Sequence, residues 1–210
     1  MKTPSEDRVV MFCGITPMRR PPLKTPSEDR IRRGDWIQTF SGVEFYPLDP
    51  RPDEIRIEDI AHALSMLCRF TGHVRRFYSV AEHSIRVCHL CPPRAKLCAL
   101  LHDASEAYLT DLPRPVKRYS DIGTLYRQAE DRLMEQICAK FSLENPTEPC
   151  VELADKAMLW IEAQTLMPPH PAWLKWKSFT NGQEPPIKNT MSPAQAESEF
   201  LALYQEWRHY

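Results

Sequence analysis

Residues 101–117, LHDASEAYLTDLPRPVK, place His102, Asp103 and Glu106 within one turn of an otherwise apolar segment, then run into two prolines and two cations. A helix that only had to pack would not gather two metal-ligating side chains and a third acid at one spot. Adjacent helical residues project about 100° apart, so His102 and Asp103 can grip one ion from neighbouring angles. Glu106 follows His102 at i+4 and is expected on the same face as that histidine. Upstream, SVAEHSIRVC sets His83 among Val80, Ile85 and Val87. Downstream, VELADKAMLW sets Asp155 among Leu153, Ala154, Ala157 and Met158, where an ionised carboxylate is costly unless a charge meets it. Two imidazoles and two carboxylates make a mixed N/O donor set suited to Mn²⁺, Co²⁺, Fe²⁺, Zn²⁺, Ni²⁺ or Mg²⁺, and less to Ca²⁺. On an octahedral ion, four protein ligands leave positions for water and a substrate oxygen.

Any one buried histidine or aspartate is more often a satisfied packing residue than a ligand, and Asp155 alone could pair with a neighbouring lysine. The joint order favours a metal: one His, then His-Asp with an acid close behind, then an isolated Asp in a later apolar helix. Other motifs carry less. Cys88-His89-Leu90-Cys91 is a lone C-x-x-C on an apolar helix, whereas a structural zinc site closes with four ligands. A zinc deaminase would need H-x-E together with P-C-x-x-C, and Pro149-Cys150 is followed by Val151-Glu152-Leu153. No glycine-rich phosphate loop is present. Trp173 and Trp176 in PAWLKWKSF could stack on a base, though aromatics in such a loop more often pin it to the body.

The elements that must position these residues are mostly helical. WIQTFSGVEFYPLDP alternates around Ser41-Gly42 and predicts a short β-hairpin. RPDEIRIEDIAHALSMLCRF puts Ile57, Ile60, Ala61, Leu64 and Leu67 on one helical face. Further helices are expected from Ser79 through Cys91, from Ala95 to Tyr108, over 124–141 and over 148–167. The last begins at Pro193 with Ser192 as N-cap. LTDLPRPVKRYSDIG, between the third and fourth, reads as a loop. This gives an all-α body of about six helices with one N-terminal hairpin.

The segment KTPSEDR occurs at 2–8 and again at 24–30, separated by prolines and without a hydrophobic period, so residues 1–33 read as a flexible leader. The remaining length suits one domain with a substantial core. A formal charge of −1 in 210 residues excludes a globally polyanion-binding surface, so no nucleic-acid partner is expected. No apolar run is long enough for a bilayer, and the N-terminus lacks a signal-peptide core. Seven cysteines, mostly in apolar helical patterns, read as reduced thiols, which points to a cytoplasmic protein.

The order His83, His102-Asp103, Asp155 resembles the metal-binding pattern of the HD-domain phosphohydrolase superfamily, an all-α fold. The stretch HDASE…DLPRPVK is similar to that of its small bacterial 5′-deoxynucleotidases. TFSGVEFYPLDP and IEDIAHALSMLCRFTGHVRRFYSVAEHS resemble phage and bacterial members of that group, including phage dATP triphosphohydrolases. The resemblance covers residues 35–170 and implies that 34–210 form an HD domain whose metal ligands are His83, His102, Asp103 and Asp155. It implies that Glu106 handles protons, and that Arg69-Phe70 stand where the nucleotidases carry an Arg-Trp pair for phosphate and nucleoside. Arg69, Arg75, Arg76 and Lys117 are then candidate phosphate clamps. Asp111 either reads a sugar hydroxyl or starts its turn. The expected activity is hydrolysis of a deoxynucleoside 5′-phosphate, either a dNMP or a dNTP, with dAMP or dATP first. A homodimer or higher homo-oligomer is implied as well. Two alternatives stay open: a nucleotide-sensing module with a structural metal, and a hydrolase of signalling nucleotides.

Overall fold

Residues 32–143, 148–180 and 186–209 are described by the computed structural model; both KTPSEDR copies lie outside them. The described residues form an all-α body with a two-stranded hairpin before the first helix. Strands β1 (Ile37–Gln38) and β2 (Glu44–Phe45) pair antiparallel, Ile37 opposite Phe45, around a turn in which Gly42 takes φ +84°. Buried Asp59 accepts hydrogen bonds from the Ser41 backbone N–H at 2.6 Å and from its hydroxyl at 2.8 Å, pinning the turn to the first helix. Arg32, at the end of the predicted leader, is tied to this region by ion pairs with Asp49 and Glu54.

Helix α1 (Ile57–Met66) buries Ile57, Ile60, Ala61 and Leu64 as their spacing predicts, and Leu67 caps its C-terminus. Helix α2 (Val80–Leu90) starts where the Ser79 hydroxyl accepts the Glu82 N–H at 3.0 Å. It is the central helix: α1 and three later helices, α3 (Lys96–Leu101), α7 (Pro149–Leu166) and α8 (Pro193–Trp207), all pack on it. Residues 69–78 form a loop whose base is closed by Arg69 N–H to Tyr78 C=O at 2.9 Å and Val80 N–H to Leu67 C=O at 3.0 Å. Within it Phe70 and Thr71 both take φ near +55°, a conformation that costs a β-branched residue such as Thr71 strain.

The helix expected from Ala95 to Tyr108 is divided. Helix α3 ends at Leu101, and α4 (Glu106–Leu109) begins only after a four-residue turn. Across the turn the backbone bonds run from i to i−3: Ala104 to Leu101, Glu106 to Asp103 and Tyr108 to Ser105. Such tight winding eclipses residues three apart, so Glu106 aligns with Asp103 and not, as the i+4 spacing suggested, with His102. The loop expected at 109–123 holds a short helix, α5 (Arg114–Tyr119). It meets the long α6 (Asp121–Phe141) at Ser120, whose hydroxyl caps Gly123 N–H at 3.1 Å. Pro113 and Pro115, which suggested a loop, sit at the start of α5, where the missing N–H costs nothing. Helix α8 has the predicted start, with a full capping box between Ser192 and Gln195. The segment before it is held to α2: Met191 N–H bonds buried Glu82 at 2.8 Å, and Arg86 reaches the Asn189 carbonyl.

Candidate metal centre and its cleft

Helix α2 carries His83, fully buried one turn from its cap, toward the end of α3 and the middle of α7. The end of α3 and its following turn bring His102 and Asp103, and α7 brings Asp155. His83, His102 and Asp103 group together, and Asp155 adjoins them through His83. His83 Nε2 lies 3.3 Å from His102 Nε2, 3.2 Å from Asp155 Oδ1 and 3.7 Å from Asp103 Oδ2; His102 Nε2 is 3.3 Å from that same Asp103 oxygen. Adjacent donors on a tetrahedral or octahedral ion with bonds of about 2.1 Å stand about 3.0–3.4 Å apart, so the spacings of 3.2 and 3.3 Å are those of donors able to share one ion, and the 3.7 Å one is wider. Among the described residues, His83, His102 and Asp103 form the one group of such donors close enough together to hold an ion.

The outer nitrogens of both imidazoles are engaged, which leaves each Nε2 for the centre. His102 Nδ1–H donates to the Ala99 carbonyl at 2.8 Å, and His83 Nδ1–H donates to Glu162 Oε1 at 2.6 Å. Ligating histidines are generally oriented by such second partners. Glu162 was not anticipated from sequence. Its signal was an acid two turns after Asp155, set between Ile161 and Ala163. Asp155 itself differs from its expected buried setting: Ala154, Ala157 and Met158 turn into the core, while its side chain is 41% exposed to the cleft.

The electrostatics follow from burial and from this crowding. Burial and the Arg69 charge pull the His83 imidazolium down, but Glu162 and Asp155 outweigh them and raise it to about 9. An ion at His83 therefore competes with a proton. Burial pushes Asp155 and Glu162 up; His83 and Arg69 more than reverse this and hold both below their ordinary values. Burial, then the Asp103 and Asp111 charges, push Glu106 well above a normal glutamate, and its Oε2 is buried without a hydrogen-bond partner.

A cleft of about 700 Å³ opens over the centre and is lined by Asp103, Asp155, Glu106, Asp111, Arg69 and Phe70. Arg69 pairs with Glu162 at 3.2 Å and Asp103 at 3.5 Å, so its guanidinium is fixed beside the ligands. Asp111 reaches the cleft through Thr110, whose φ +70° and ψ 161° belong to a region kept almost wholly by glycine. Three predicted phosphate clamps are placed elsewhere. Arg76 donates to the Ile187 and Lys188 carbonyls, Lys117 pairs with Glu130 at 2.5 Å, and Arg75 does not line the cleft either. The cleft takes its other cations from Arg114 and Lys175, neither singled out by sequence, and its far wall from Trp173 and Trp176. Phe70 meets Trp173 edge to face at 6.2 Å, and Arg114 lies over the Trp176 ring at 4.7 Å. Cys88 and Cys91 are buried free thiols pushed up by burial to about 11 and about 12, the packing role expected of them.

No family model matches the chain. It is 40% identical over 131 residues to the uncharacterized protein YfdR of Escherichia coli, an alignment covering 62% of this chain and 72% of that protein. The chain belongs to the YfdR family. A second relative, an uncharacterized protein of Rhodobacter capsulatus, is 37% identical over 144 residues, again covering 62% of this chain and 72% of its own length. No helix among the described residues of this YfdR-family chain is long and apolar enough to cross a membrane.

Proposed function

We propose that this chain is a metal-dependent HD-domain phosphohydrolase that cleaves the 5′-phosphoester of deoxynucleoside phosphates, with dAMP or dATP as first substrates. The observation that carries the reading is the grouping of His83, His102 and Asp103, with Asp155 beside His83, at the floor of a cleft with Arg69 and Glu106 on its walls. His83, His102, Asp103 and Asp155 would hold the ion. When bound, a divalent ion supplies charge neutralisation at the phosphoryl oxygens and a more acidic water.

The chain's own residues do the rest. Arg69, immobilised by two carboxylates, orients the phosphate against the centre. Glu106, whose burial favours the protonated carboxyl, gives that proton to the 5′-oxygen as the P–O5′ bond breaks and a water oxygen bonds to phosphorus. The carboxylate so formed takes up the proton that the water loses. Phe70, Trp173 and Trp176 exclude water and offer ring faces to a base. Arg114 and Lys175 supply positive charge farther along the cleft. The volume falls in the range typical of small-molecule sites. A homodimer is the expected assembly, and the exposed apolar side chains Tyr119, Ile122 and Leu125 offer a surface for it; sedimentation of the full chain tests this. Free thiols at the described cysteines suit a reducing, cytoplasmic setting.

The test is product analysis by ion-exchange chromatography after incubation with Mn²⁺ or Co²⁺ and either dAMP or dATP, with Asp103→Ala as control. Phosphate from dAMP assigns a 5′-nucleotidase. Deoxyadenosine plus intact triphosphate from dATP assigns a triphosphohydrolase. No metal-dependent product from any deoxynucleotide refutes the proposal and favours nucleotide sensing.

A further inference from the structure

Glu162 is fully buried, and its two oxygens face different groups: Oε1 accepts the His83 Nδ1–H at 2.6 Å, and Oε2, which has no hydrogen bond, is met by the Arg69 charge, 3.2 Å from Nη2. Arg69 in turn reaches the ligand Asp103 with its other terminal nitrogen at 3.5 Å. A carboxylate without solvent is expensive unless both of its oxygens are met, so a merely structural acid would not be expected to face two functional groups on two different segments. Each segment needs an outside reference. His83 sits on a helix, where its ring can rotate about χ2. Arg69 sits on the loop that contains the left-handed residues Phe70 and Thr71, and its side chain has many rotamers. Helix α7 also carries Asp155, so one rigid element supplies a ligand, the orienter of a second ligand and the anchor of the cleft's innermost cation.

We propose that Glu162 is a positioning residue that fixes the His83 ring as an Nε2 donor and holds Arg69 beside the centre, joining the metal site and the anion-binding cation into one unit. This rests on the metal-centre reading above. It assigns a role to a residue outside the donor set and the cleft lining. It also makes α7 the reference frame for the whole site.

The test uses full-length protein and Co²⁺ as the probe, titrated by its visible d–d absorption in competition with a chelator. Glu162→Ala is expected to weaken Co²⁺ about 10–100-fold and to alter the band shape, because the His83 ring loses its reference. Glu162→Gln, whose amide oxygen still accepts from Nδ1–H, is expected to restore most of that affinity. It still loses its charge partnership with Arg69, so pairing it with Arg69→Met should lower the melting temperature less than Glu162→Gln does alone. Glu82→Gln, which neutralises a second buried acid of α2 whose oxygens are held by Arg86 and the Met191 N–H and not by His83, should lower melting while leaving the Co²⁺ affinity and bands unchanged. A measurement that needs no variant is the ¹H–¹⁵N correlation of His83 in the Zn²⁺-loaded wild type, expected to show a protonated Nδ1. Wild-type Co²⁺ affinity and bands in Glu162→Ala, or a His83 protonated at Nε2, would overturn the proposal. Failure of the wild type to bind Co²⁺ would instead overturn the metal reading on which it rests.

Discussion

Gly123 lies in the first turn of α6, where a side-chain carbon added to it would stand 2.3 Å from the Lys117 carbonyl oxygen and 2.4 Å from that of Val116. Replacing it with alanine sets two effects against each other. Inside a helix, alanine is favoured over glycine by about 0.8–1 kcal/mol. Against that, the new methyl meets backbone oxygens, which cannot rotate away, at more than about 1 Å inside ordinary contact, and overpacking of this kind costs about 1–3 kcal/mol or more. The partners are also locked in place: Ser120 bonds the Val116 carbonyl at 2.7 Å and Arg127 bonds that of Lys117. With two carbonyl oxygens met at once the clash should win, with a net loss of up to about 2 kcal/mol, which for a domain of this size lowers the melting temperature by up to about 8 °C. Because α5 carries Arg114 and Tyr119 to the cleft, relief of the clash should also raise the nucleotide KM. Co²⁺ affinity should hold, since the ligands come from α2, α7 and the end of α3. Calorimetry of Gly123→Ala, a parallel Co²⁺ titration and steady-state assays with the nucleotide read the three quantities. A melting temperature equal to or above that of wild type would mean that helix propensity prevails and that the α5–α6 corner is not packed as described.

Glu106→Ala should bind Co²⁺ as the wild type does while turnover falls at least about a hundredfold, as expected for a lost proton-transfer group; unchanged turnover in steady-state assays would remove Glu106 from the mechanism. Glu106→Gln should stabilise the EDTA-treated protein at neutral pH. With its pKa raised in the fold, the wild-type glutamate loses stability as pH rises from its unfolded value through its folded one, and glutamine does not. The difference in urea midpoint should vanish below the ordinary glutamate pKa, and a difference that grows toward acid would reverse the assigned shift. At Thr110, glycine should relieve about 1–3 kcal/mol of backbone strain against about 0.4–1 kcal/mol of added unfolded-chain entropy, for no loss or a small gain in stability. A melting temperature clearly below wild type would mean that Thr110 is not strained.

The candidate donors were legible because metal chemistry restricts residue types: His83, His102 and Asp103, which the fold groups together, and Asp155 beside His83 stand out from apolar helices. The hairpin, the face of α1 and the Ser192 cap were legible for a local reason, since period and capping chemistry are written in neighbouring residues. What sequence did not disclose depends on contacts between distant segments. Glu162 looks like any acid in a long helix until His83 and Arg69 are seen to share it. Arg76 and Lys117 look as available as Arg114 until the Ile187 carbonyl and Glu130 engage them.

The division of the third helix shows why the remaining discrepancy matters for chemistry. Regular α winding from Ala95 to Tyr108 would put Glu106 over His102, and an acid over a ligating imidazole would be placed to orient the ring. The i−3 bonds after Leu101 instead bring Glu106 over Asp103, on the side that lines the cleft. The orienting work then falls to other groups: the Ala99 carbonyl for His102 and Glu162 for His83. Glu106 is left without a hydrogen-bond partner at its buried oxygen, facing the space a substrate would enter. An unpartnered buried carboxyl is destabilising, and a fold tolerates it most readily where its proton has a use. The tight turn therefore leaves one acid behind the candidate ligands and places another in front of them.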